Sequence, residues 1–519
     1  MTLGGWQLPA IAQVRLPSLG ETASEDLTVG AERRLGEQIM REARRDPEFL
    51  DDPVLQEYLL SVFNPLVAAA RQIGNIDADT DRAFAWEPFL VKDRSVNAFA
   101  LPGGFVGVHL GLIAITTTAD QLASVLAHEL SHVTQRHIAR GIAPQQRASL
   151  VAIATLLLGI IAASRANNAD VANAAIMGGQ GAAIQSQLNF SRDMEREADR
   201  IGFGLLEVAG YSPAGMSAMF EKLDLATRLN DSGGYPYLRS HPLTTDRISE
   251  ARNRILVTPG ARSVVTLEHA LMQMRSRVLM AEGVQSLQRL AGGTASPLRI
   301  DRLAALYGAA LAASLLGEHE VAQARADQAV QMEAGITPSD SQAERTLHLL
   351  QAQVRLAGGR PAAAQEALDR IPAPAAGHSD RPQMLLRAQV ALDLRRSDPS
   401  AAPPALRAST EALQTWLADQ PQDAAAWDLV AATSDALGLK LRSMRAAAEA
   451  RAVVGDLTGA IDRLRAAQTA SRTAAGQDFI EASVIDTRLR LFTAQRRQLA
   501  LEARGESRGG RPGDEPPPQ

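Results

Sequence analysis

The chain has 519 residues, of which 46% are hydrophobic and 21% are charged, and its net charge is -5. This balance is typical of globular proteins, and the length is enough for about three or four domains. The charge gives no reason to expect nucleic-acid binding. The chain contains no cysteine, which excludes disulfides and leaves histidines and carboxylates as the available zinc ligands.

The amino-terminal residues 1–16 show part of the pattern of a signal peptide. Ala10-Ile11-Ala12 followed by Gln13 resembles a signal-peptide cleavage site, whereas the residues before it have neither charge nor a long apolar run. Two interpretations remain open. The segment is either the remnant of a signal peptide, with a periplasmic mature chain that starts near Gln13, or a short disordered tail.

Residues 17–260 are predicted to form an α+β domain. A helical run is expected to continue to about Ile73, because apolar residues recur before it at helical spacing. Over residues 82–113 the pattern changes to short segments rich in Val, Phe and Leu. Pro102-Gly103-Gly104 separates two of these segments as a turn, so we expect a small antiparallel sheet.

Two further helices are predicted in this domain. Thr118-x-x-Gln121 forms a capping box in front of the first. The second covers residues 191–209 and stops at Gly210, a residue type that often ends helices. Between them, residues 150–163 are apolar throughout, but a membrane span needs about 20 such residues. A buried helix is favoured there over a hairpin that makes peripheral membrane contact or covers the site.

The pattern over residues 265–505 predicts consecutive helices. Gly317 is followed after five residues by Ala322 and after twelve by Ala329, and Gly359 and Gly455 have small or apolar residues at the same offsets. These offsets resemble tetratricopeptide (TPR) repeats, in which small residues let paired helices pack closely. The spacing of the glycines is irregular, so a TPR-like helical-repeat domain is the prediction. Residues 506–519 are rich in Gly, Pro and charge and are predicted to be disordered.

The segment HELSH at 128–132 carries the strongest chemical signal. Residues i and i+4 share one face of an α-helix, so His128 and His132 can bind one zinc ion. Glu129 is displaced from that face by about 100°, where it can act as general base for zinc-bound water. The alternative is a polar helix face without metal, but the flanking residues are apolar, and unpartnered buried histidines would be costly.

The third ligand must come from outside this helix. Gln135 and Ile138 stand where the extended pattern HExxHxxGxxH requires Gly and His, so that pattern is excluded. His137, five residues after His132, is expected on the wrong side of the helix.

The segment SRDMEREADRIG, at residues 191–202, supplies better candidates. Glu195 and Asp199 share one helical face, Gly202 continues that face and permits close approach to another helix, and Glu197 points away. Glu195 is therefore predicted to be the third ligand, with Asp199 orienting a ligand histidine. A solvated charge cluster is the alternative.

Ser240-His241-Pro242 offers one more imidazole, with Arg247 six residues after the histidine. Peptide hydrolysis needs a group that stabilises the oxyanion, and His241 is a candidate for that role. Considered alone, a histidine before proline is more often an ordinary loop residue.

Together, these motifs resemble one known family. HELSHVTQRH, SRDMEREAD, NAFALPGG and SHPLTTDR look like those of the HtpX-type zinc metallopeptidases, the family that includes the CAAX prenyl protease. The similarity is greatest to a periplasmic branch that carries TPR repeats, because the long transmembrane helices of the prenyl protease are not found. It covers residues 17–255 well, and the carboxyl-terminal half mainly in architecture.

The resemblance implies a zincin-type α+β fold with one zinc ion per chain, bound by His128, His132 and Glu195. It also implies that His241 lies near the metal. Asp199 and Arg247 are predicted to support the ligands from outside the metal site. In this family an edge strand before the Pro-Gly-Gly turn holds substrate by strand addition. The corresponding residues here are Val96, Asn97, Ala98, Phe99 and Ala100.

The expected function is that of a zinc-dependent endopeptidase. Zinc polarises the scissile carbonyl, Glu129 takes a proton from water, and His241 stabilises the oxyanion or, in a resting state, binds the zinc itself. The resemblance implies that the clients are misassembled outer-membrane β-barrel proteins and that the helical repeats bind their assembly machinery. The alternative is a chaperone or scaffold with a silent or structural zinc site, which would have no use for a base at Glu129.

Overall fold

The computed structural model describes residues 27–141, 191–229, 235–257, 263–293, 296–335, 340–375, 380–398, 403–473 and 478–509. The cleavage-site motif at 10–13 and the apolar stretch at 150–163 lie outside these residues. No helix in the described part of the chain combines the length and apolar character that crossing a membrane requires.

Two helices open the described chain, α1 (Val29–Ala43) and α2 (Pro53–Gln72). The prediction of a single helical run is wrong, because the short strand β1 (Phe49–Leu50) separates them. Local chemistry explains the break. The Asp52 side chain accepts a hydrogen bond from the Leu55 N–H, and a proline follows Asp52 at the first helical position, a combination that starts a new helix.

Four strands form one small sheet in the order β1-β2-β4-β3. The remaining strands are β2 (Glu87–Val91), β3 (Ala98–Leu101) and β4 (Phe105–His109). β3 and β4 form an antiparallel hairpin across the predicted turn, where Gly103 and Gly104 have φ values of 78° and 88°. The prediction of an antiparallel sheet is wrong in one pairing, since β2 and β4 are parallel. Short apolar segments locate strands but do not give their direction.

Eight more helices complete the described part of this domain. They are α3 (Ala78–Ala83), α4 (Leu110–Ile115), α5 (Ala119–Thr134), α6 (His137–Gly141), α7 (Arg192–Ala209), α8 (Ala214–Leu229), α9 (Tyr237–Ser240) and α10 (Thr245–Val257). At the start of α5, the Thr118 side chain accepts from the Gln121 N–H as predicted, but Gln121 in turn accepts from the N–H of Thr117. α7 ends at Gly210 with φ 84°, which confirms its predicted stop.

The carboxyl-terminal half is a succession of helices that pack on their neighbours. They are α11 (Leu267–Leu279), α12 (Gly283–Ala291), α13 (Arg299–Leu315), α14 (His319–Ala334), α15 (Ser341–Ala357), α16 (Pro361–Leu368), α17 (Arg381–Ser397), α18 (Pro403–Asp419), α19 (Ala424–Ala436), α20 (Lys440–Val453), α21 (Leu457–Thr473) and α22 (Phe479–Gly509). Gly317 and Gly359 stand between paired helices with φ values of 78° and 69°, and Ala322 is fully buried. Residues 506–509, predicted to begin a disordered tail, are helical.

Two ion pairs, the first of them buried, fasten the helical half to the start of α2. Arg275 of α11 forms two bonds of 2.7 Å to the Asp52 carboxylate and donates to the Tyr307 hydroxyl at 2.8 Å. Next to it, Arg381 pairs with Asp51 at 2.9 Å. α2 also packs on α5, so it connects the helical half with the helix that carries HELSH.

We expect the stability of the folded protein to depend on pH because of His269, a residue of α11 that contacts α2. Its Nε2–H donates to the Thr116 carbonyl at 3.0 Å, and its Nδ1 accepts from the Tyr58 hydroxyl at 2.6 Å. Burial lowers the pKa of His269 from 6.5 to about 4, so the unfolded chain binds more protons between these pH values. Stability should therefore fall as pH drops through this window, by up to about 1.4 kcal/mol per pH unit.

The measurement compares the thermal midpoint of the wild type and His269→Gln between pH 7.5 and 4.5. The variant should be less stable at pH 7.5 but should lose less stability on acidification, because its side chain does not titrate. Parallel curves for the two proteins would contradict the assignment.

Candidate metal centre

The site is assembled where α5 and α7 cross. His128 and His132 lie on α5, and Glu195 lies in the first turn of α7. The helices approach closely at Gly202, where an added Cβ would lie 3.2 Å from the backbone of Ala127 and His128. A side chain at this position would force the two helices apart by a few tenths of an ångström.

Four buried side chains converge between these helices. His128, His132, Glu195 and His241 each offer one ligand atom, and these atoms all lie within 4.8 Å of one another. Nε2 of His128 is 3.0 Å from Nε2 of His132 and 3.2 Å from Nδ1 of His241. Each side chain is at most 3% exposed. The structure thus brings together the three predicted ligands and His241.

The hydrogen bonding of His128 shows that this cluster suits a metal ion. Its Nδ1 lies 2.9 Å from Oδ1 of Asp199, and an ionised carboxylate can only accept, so Nδ1 carries a proton. In the neutral ring that metal binding requires, the Nε2 lone pair then faces the nitrogens of His132 and His241. Imidazole lone pairs and a carboxylate gathered in a buried space form the donor set of a divalent metal site.

Two ionised carboxylates, Glu195 and Asp199, stabilise positive charge in this site. Burial opposes ionisation of Glu195, but the neighbouring His241 and His128 hold its pKa well below the usual range. Burial also lowers the pKa of His128, yet Glu195 and Asp199 raise it to about 10. His132 behaves differently, because burial holds its pKa well below 6.5. The two carboxylates are therefore ionised at neutral pH, and they stabilise positive charge here, either the second proton of His128 or a bound metal cation.

Arg247 holds these carboxylates from behind. Its Nε and Nη2 donate to the two oxygens of Asp199 at 2.6 and 2.8 Å, and its Nη1 pairs with Oε2 of Glu195 at 2.9 Å. The same Nη1 donates to the Pro242 carbonyl at 2.9 Å. Arg247 therefore ties the segment that carries His241 to α7.

Glu129 lies beside the cluster and is fully buried. Neither of its carboxylate oxygens has a hydrogen-bond partner among the described residues. Burial raises its pKa, and the opposing effects of His241, His128 and the backbone N–H of Ala100 are smaller. Such a carboxyl, held next to a metal-binding cluster with its oxygens uncommitted, has the environment of a proton acceptor.

The predicted substrate strand lies next to Glu129. Of its five residues, Ala98, Phe99 and Ala100 belong to β3, while Val96 and Asn97 immediately precede it. β3 stands at the end of the strand order, so within the described residues it pairs on one side only. An edge of this kind can accept a further extended strand.

His241 is held by its own short helix. The Tyr237 ring stacks on the His241 ring at 4.7 Å between centroids, and the Tyr237 N–H donates to the Val96 carbonyl at 3.4 Å. The other ring nitrogen of His241, Nε2, lies 3.4 Å from Oε1 of Glu129. His241 therefore lies between the cluster, Glu129 and the edge strand.

His137 lies in a place that sequence reasoning did not anticipate. A continuous helix would have carried it away from His132, but α5 stops and Arg136 adopts φ 51°. The chain turns there, and Nδ1 of His137 comes within 2.8 Å of Nδ1 of His132. Glu197, predicted to point away from the site, contacts the other nitrogen of His137 at 3.0 Å. The sequence gives little sign of this turn, because it contains no glycine or proline.

Comparison with known proteins agrees with this geometry. The sequence profile of peptidase family M48 matches residues 60–255, a range that contains the whole cluster. The beta-barrel assembly-enhancing protease of Yersinia pestis is 30% identical over 459 residues, which cover 87% of this chain and 87% of that protein.

Two further relatives match over a shorter length. A candidate beta-barrel assembly-enhancing protease of Vibrio cholerae is 38% identical over 52% of this chain and 54% of its own length. The beta-barrel assembly-enhancing protease of Escherichia coli K12 is 35% identical over 46% of this chain and 47% of its own length. The chain thus spans about half the length of these two relatives.

Proposed function

This chain belongs to peptidase family M48, and we propose that it is a zinc-dependent endopeptidase whose metal is held by His128, His132 and Glu195. The observation that carries the proposal is the buried cluster of four ligand atoms within 4.8 Å, with the uncommitted carboxylate of Glu129 beside it. A metal bound there supplies Lewis-acid polarisation of the scissile carbonyl and lowers the pKa of water.

Glu129 is the general base in this proposal. Burial raises its pKa, so it accepts a proton from the attacking water more readily than an exposed glutamate. It can then deliver this proton to the leaving amine. His241, whose Nε2 lies 3.4 Å from the Glu129 carboxylate, donates a hydrogen bond to the oxygen that becomes negatively charged.

In the arrangement described, His241 also fits as a fourth ligand. Its Nδ1 lies 2.9 Å from Oε1 of Glu195 and 3.2 Å from Nε2 of His128, among the atoms of the other three ligands. A catalytic zinc keeps one position open, so His241 in this position closes the site. Substrate entry then requires the segment around His241 to move.

An extended polypeptide is the substrate that suits the edge strand. A segment paired with β3 would run beside Glu129, because the N–H of Ala100 is close enough to lower the pKa of that carboxyl. Strand addition needs an unfolded backbone. The names of the relatives refer to β-barrel assembly, and we propose misassembled outer-membrane β-barrel proteins as clients and the periplasm as the location.

The helical half is proposed to be a TPR-like repeat domain that binds clients or their assembly machinery. The glycines that suggested the repeat stand between consecutive helices, and paired helices of this kind form extended concave surfaces. The chaperone or scaffold alternative is less well supported, because a site that only stabilised the fold would not need the buried carboxylate of Glu129, which accepts no hydrogen bond among the described residues.

The proposal is tested with an unfolded outer-membrane β-barrel protein as substrate. Cleavage should stop when a chelator removes the metal and should return when zinc is added. The same barrel protein, folded in detergent, is the control and should resist cleavage. Full cleavage by metal-free protein would refute the proposal, and client binding without cleavage by the zinc-loaded protein would favour the chaperone alternative.

The same assay examines His241 with the variant His241→Ala. Loss of the oxyanion donor should slow the zinc-loaded enzyme, and loss of a fourth ligand should weaken zinc binding. An unchanged rate together with an unchanged zinc affinity would exclude both roles.

A further inference from the structure

A chain of polar contacts runs outward from His132 to the surface. Nδ1 of His132 meets Nδ1 of His137 at 2.8 Å, and Nε2 of His137 meets Oε2 of Glu197 at 3.0 Å. Arg140 approaches the same glutamate oxygen at 3.1 Å. The two histidines are fully buried, whereas the Glu197 side chain is 30% exposed, so the chain leads from the cluster to solvent.

Only one assignment of protons fits this chain when His132 binds a metal. Nε2 of His132 faces the cluster, 3.0 Å from Nε2 of His128, so it supplies the lone pair and Nδ1 carries the hydrogen. Nδ1 of His137 must then accept. This places the His137 hydrogen on Nε2, where it donates to the Glu197 carboxylate. Each hydrogen bond is then donated outward, from His132 to His137 and from His137 to Glu197.

We propose that His137 and Glu197 are positioning residues that fix the tautomer and ring orientation of His132 for metal binding. The inference rests on the proposed function, because it assumes that His132 is a ligand. His128 receives the same support directly from Asp199 at 2.9 Å. His132 receives it through an intervening imidazole, and in both cases the final acceptor is a carboxylate paired with arginine.

The local backbone supports this role for His137. Arg136, a residue without the freedom of glycine, has a φ of 51°, an unfavourable conformation for a large side chain. The structure stabilises it, because the Arg136 guanidinium donates to Glu32 at 2.8 Å and to the Leu27 carbonyl at 2.5 Å. The turn it makes is what returns His137 to the side of His132.

The test measures zinc affinity of the full chain by competition with a chelating indicator. His137→Phe keeps a ring but has no acceptor, and its zinc dissociation constant should rise by about 10–100-fold. His137→Asn should recover part of the affinity, because its side-chain carbonyl can occupy the place of Nδ1. Asp193→Asn, an exposed position on the same helix as Glu197, is the control and should leave the affinity unchanged.

A double-variant comparison separates a relay from two independent effects. Glu197→Leu alone should weaken zinc binding, but it should add nothing in a His137→Phe background, because its path to His132 is already broken. Equal effects of Glu197→Leu in both backgrounds would overturn the relay. Wild-type zinc affinity in folded His137→Phe would overturn the role of His137.

Failure of the proposed function gives a different result. If the wild type itself binds no zinc, the proposed metal site is refuted, and not only the positioning role of His137 and Glu197. Thermal midpoints of the metal-free proteins report whether each variant folds. If His137→Phe does not fold, Glu197→Leu is tested instead, because Glu197 is partly exposed and its replacement should be tolerated. A folded Glu197→Leu variant with wild-type zinc affinity would then overturn the proposal.

Discussion

Glu129→Gln should retain zinc and lose peptide hydrolysis, with kcat lower by about 10²–10⁴-fold. The amide has nearly the same shape as the carboxylate but cannot accept the proton of the attacking water. The carboxylate is not one of the four clustered ligands, so the metal should stay in place. Neither carboxylate oxygen of Glu129 accepts a hydrogen bond among the described residues, and the nearest basic group among them, His241 Nε2, is 3.4 Å away, so the neutral amide should keep the fold intact.

Zinc content by elemental analysis and cleavage of an unfolded β-barrel substrate are measured on the same sample. Glu207→Gln, an exposed glutamate of α7, is the matched control and should cleave like the wild type. Loss of zinc in Glu129→Gln would show that this residue contributes to metal binding. Full activity with zinc present would exclude it as the base.

The core of the site could be predicted from sequence because its geometry is local. His128 and His132 are related by one helical turn, and so are Glu195 and Asp199, and helical periodicity alone places each pair on a face. Gly202 then indicates where two such faces approach. These relations depend only on the helix being intact through the motif, a condition that α5 and α7 both meet.

The rest could not be predicted, because it depends on where helices stop and how segments meet in space. His137 was assigned to the wrong side because nothing in the sequence marks Arg136 as a turn with positive φ. The pairing of β4 with β2 was missed for a related reason, since hydrophobic patterns do not encode strand direction. The approach of His241 depends on Arg247 and Tyr237. These two residues also bind Asp199 and the Val96 carbonyl, which lie in segments far away in the chain.

Arg247→Met should destabilise the amino-terminal domain by about 3–5 kcal/mol in the metal-free protein, the usual cost of removing one partner from a buried ion pair. Methionine retains much of the apolar stem, so the loss reports mainly the charge. Without the guanidinium, Asp199 loses two hydrogen bonds of 2.6 and 2.8 Å, and Glu195 loses an ion pair of 2.9 Å. The Pro242 carbonyl also loses its donor, which should loosen the segment that carries His241.

Zinc should reduce this destabilisation. A bound cation compensates part of the negative charge that Arg247 leaves behind, and any ligand that binds only the folded state adds stability. Hydrogen exchange of the α7 amides, measured with and without zinc, reports the opening free energy of this region. Arg252→Met is the control. Arg252 lies on α10, as Arg247 does, but its ion pair is at the surface and its side chain is 57% exposed, so this variant should change stability by less than about 0.5 kcal/mol. If Arg247→Met were as mild as this control, Arg247 would not be holding the carboxylates of α7 in place.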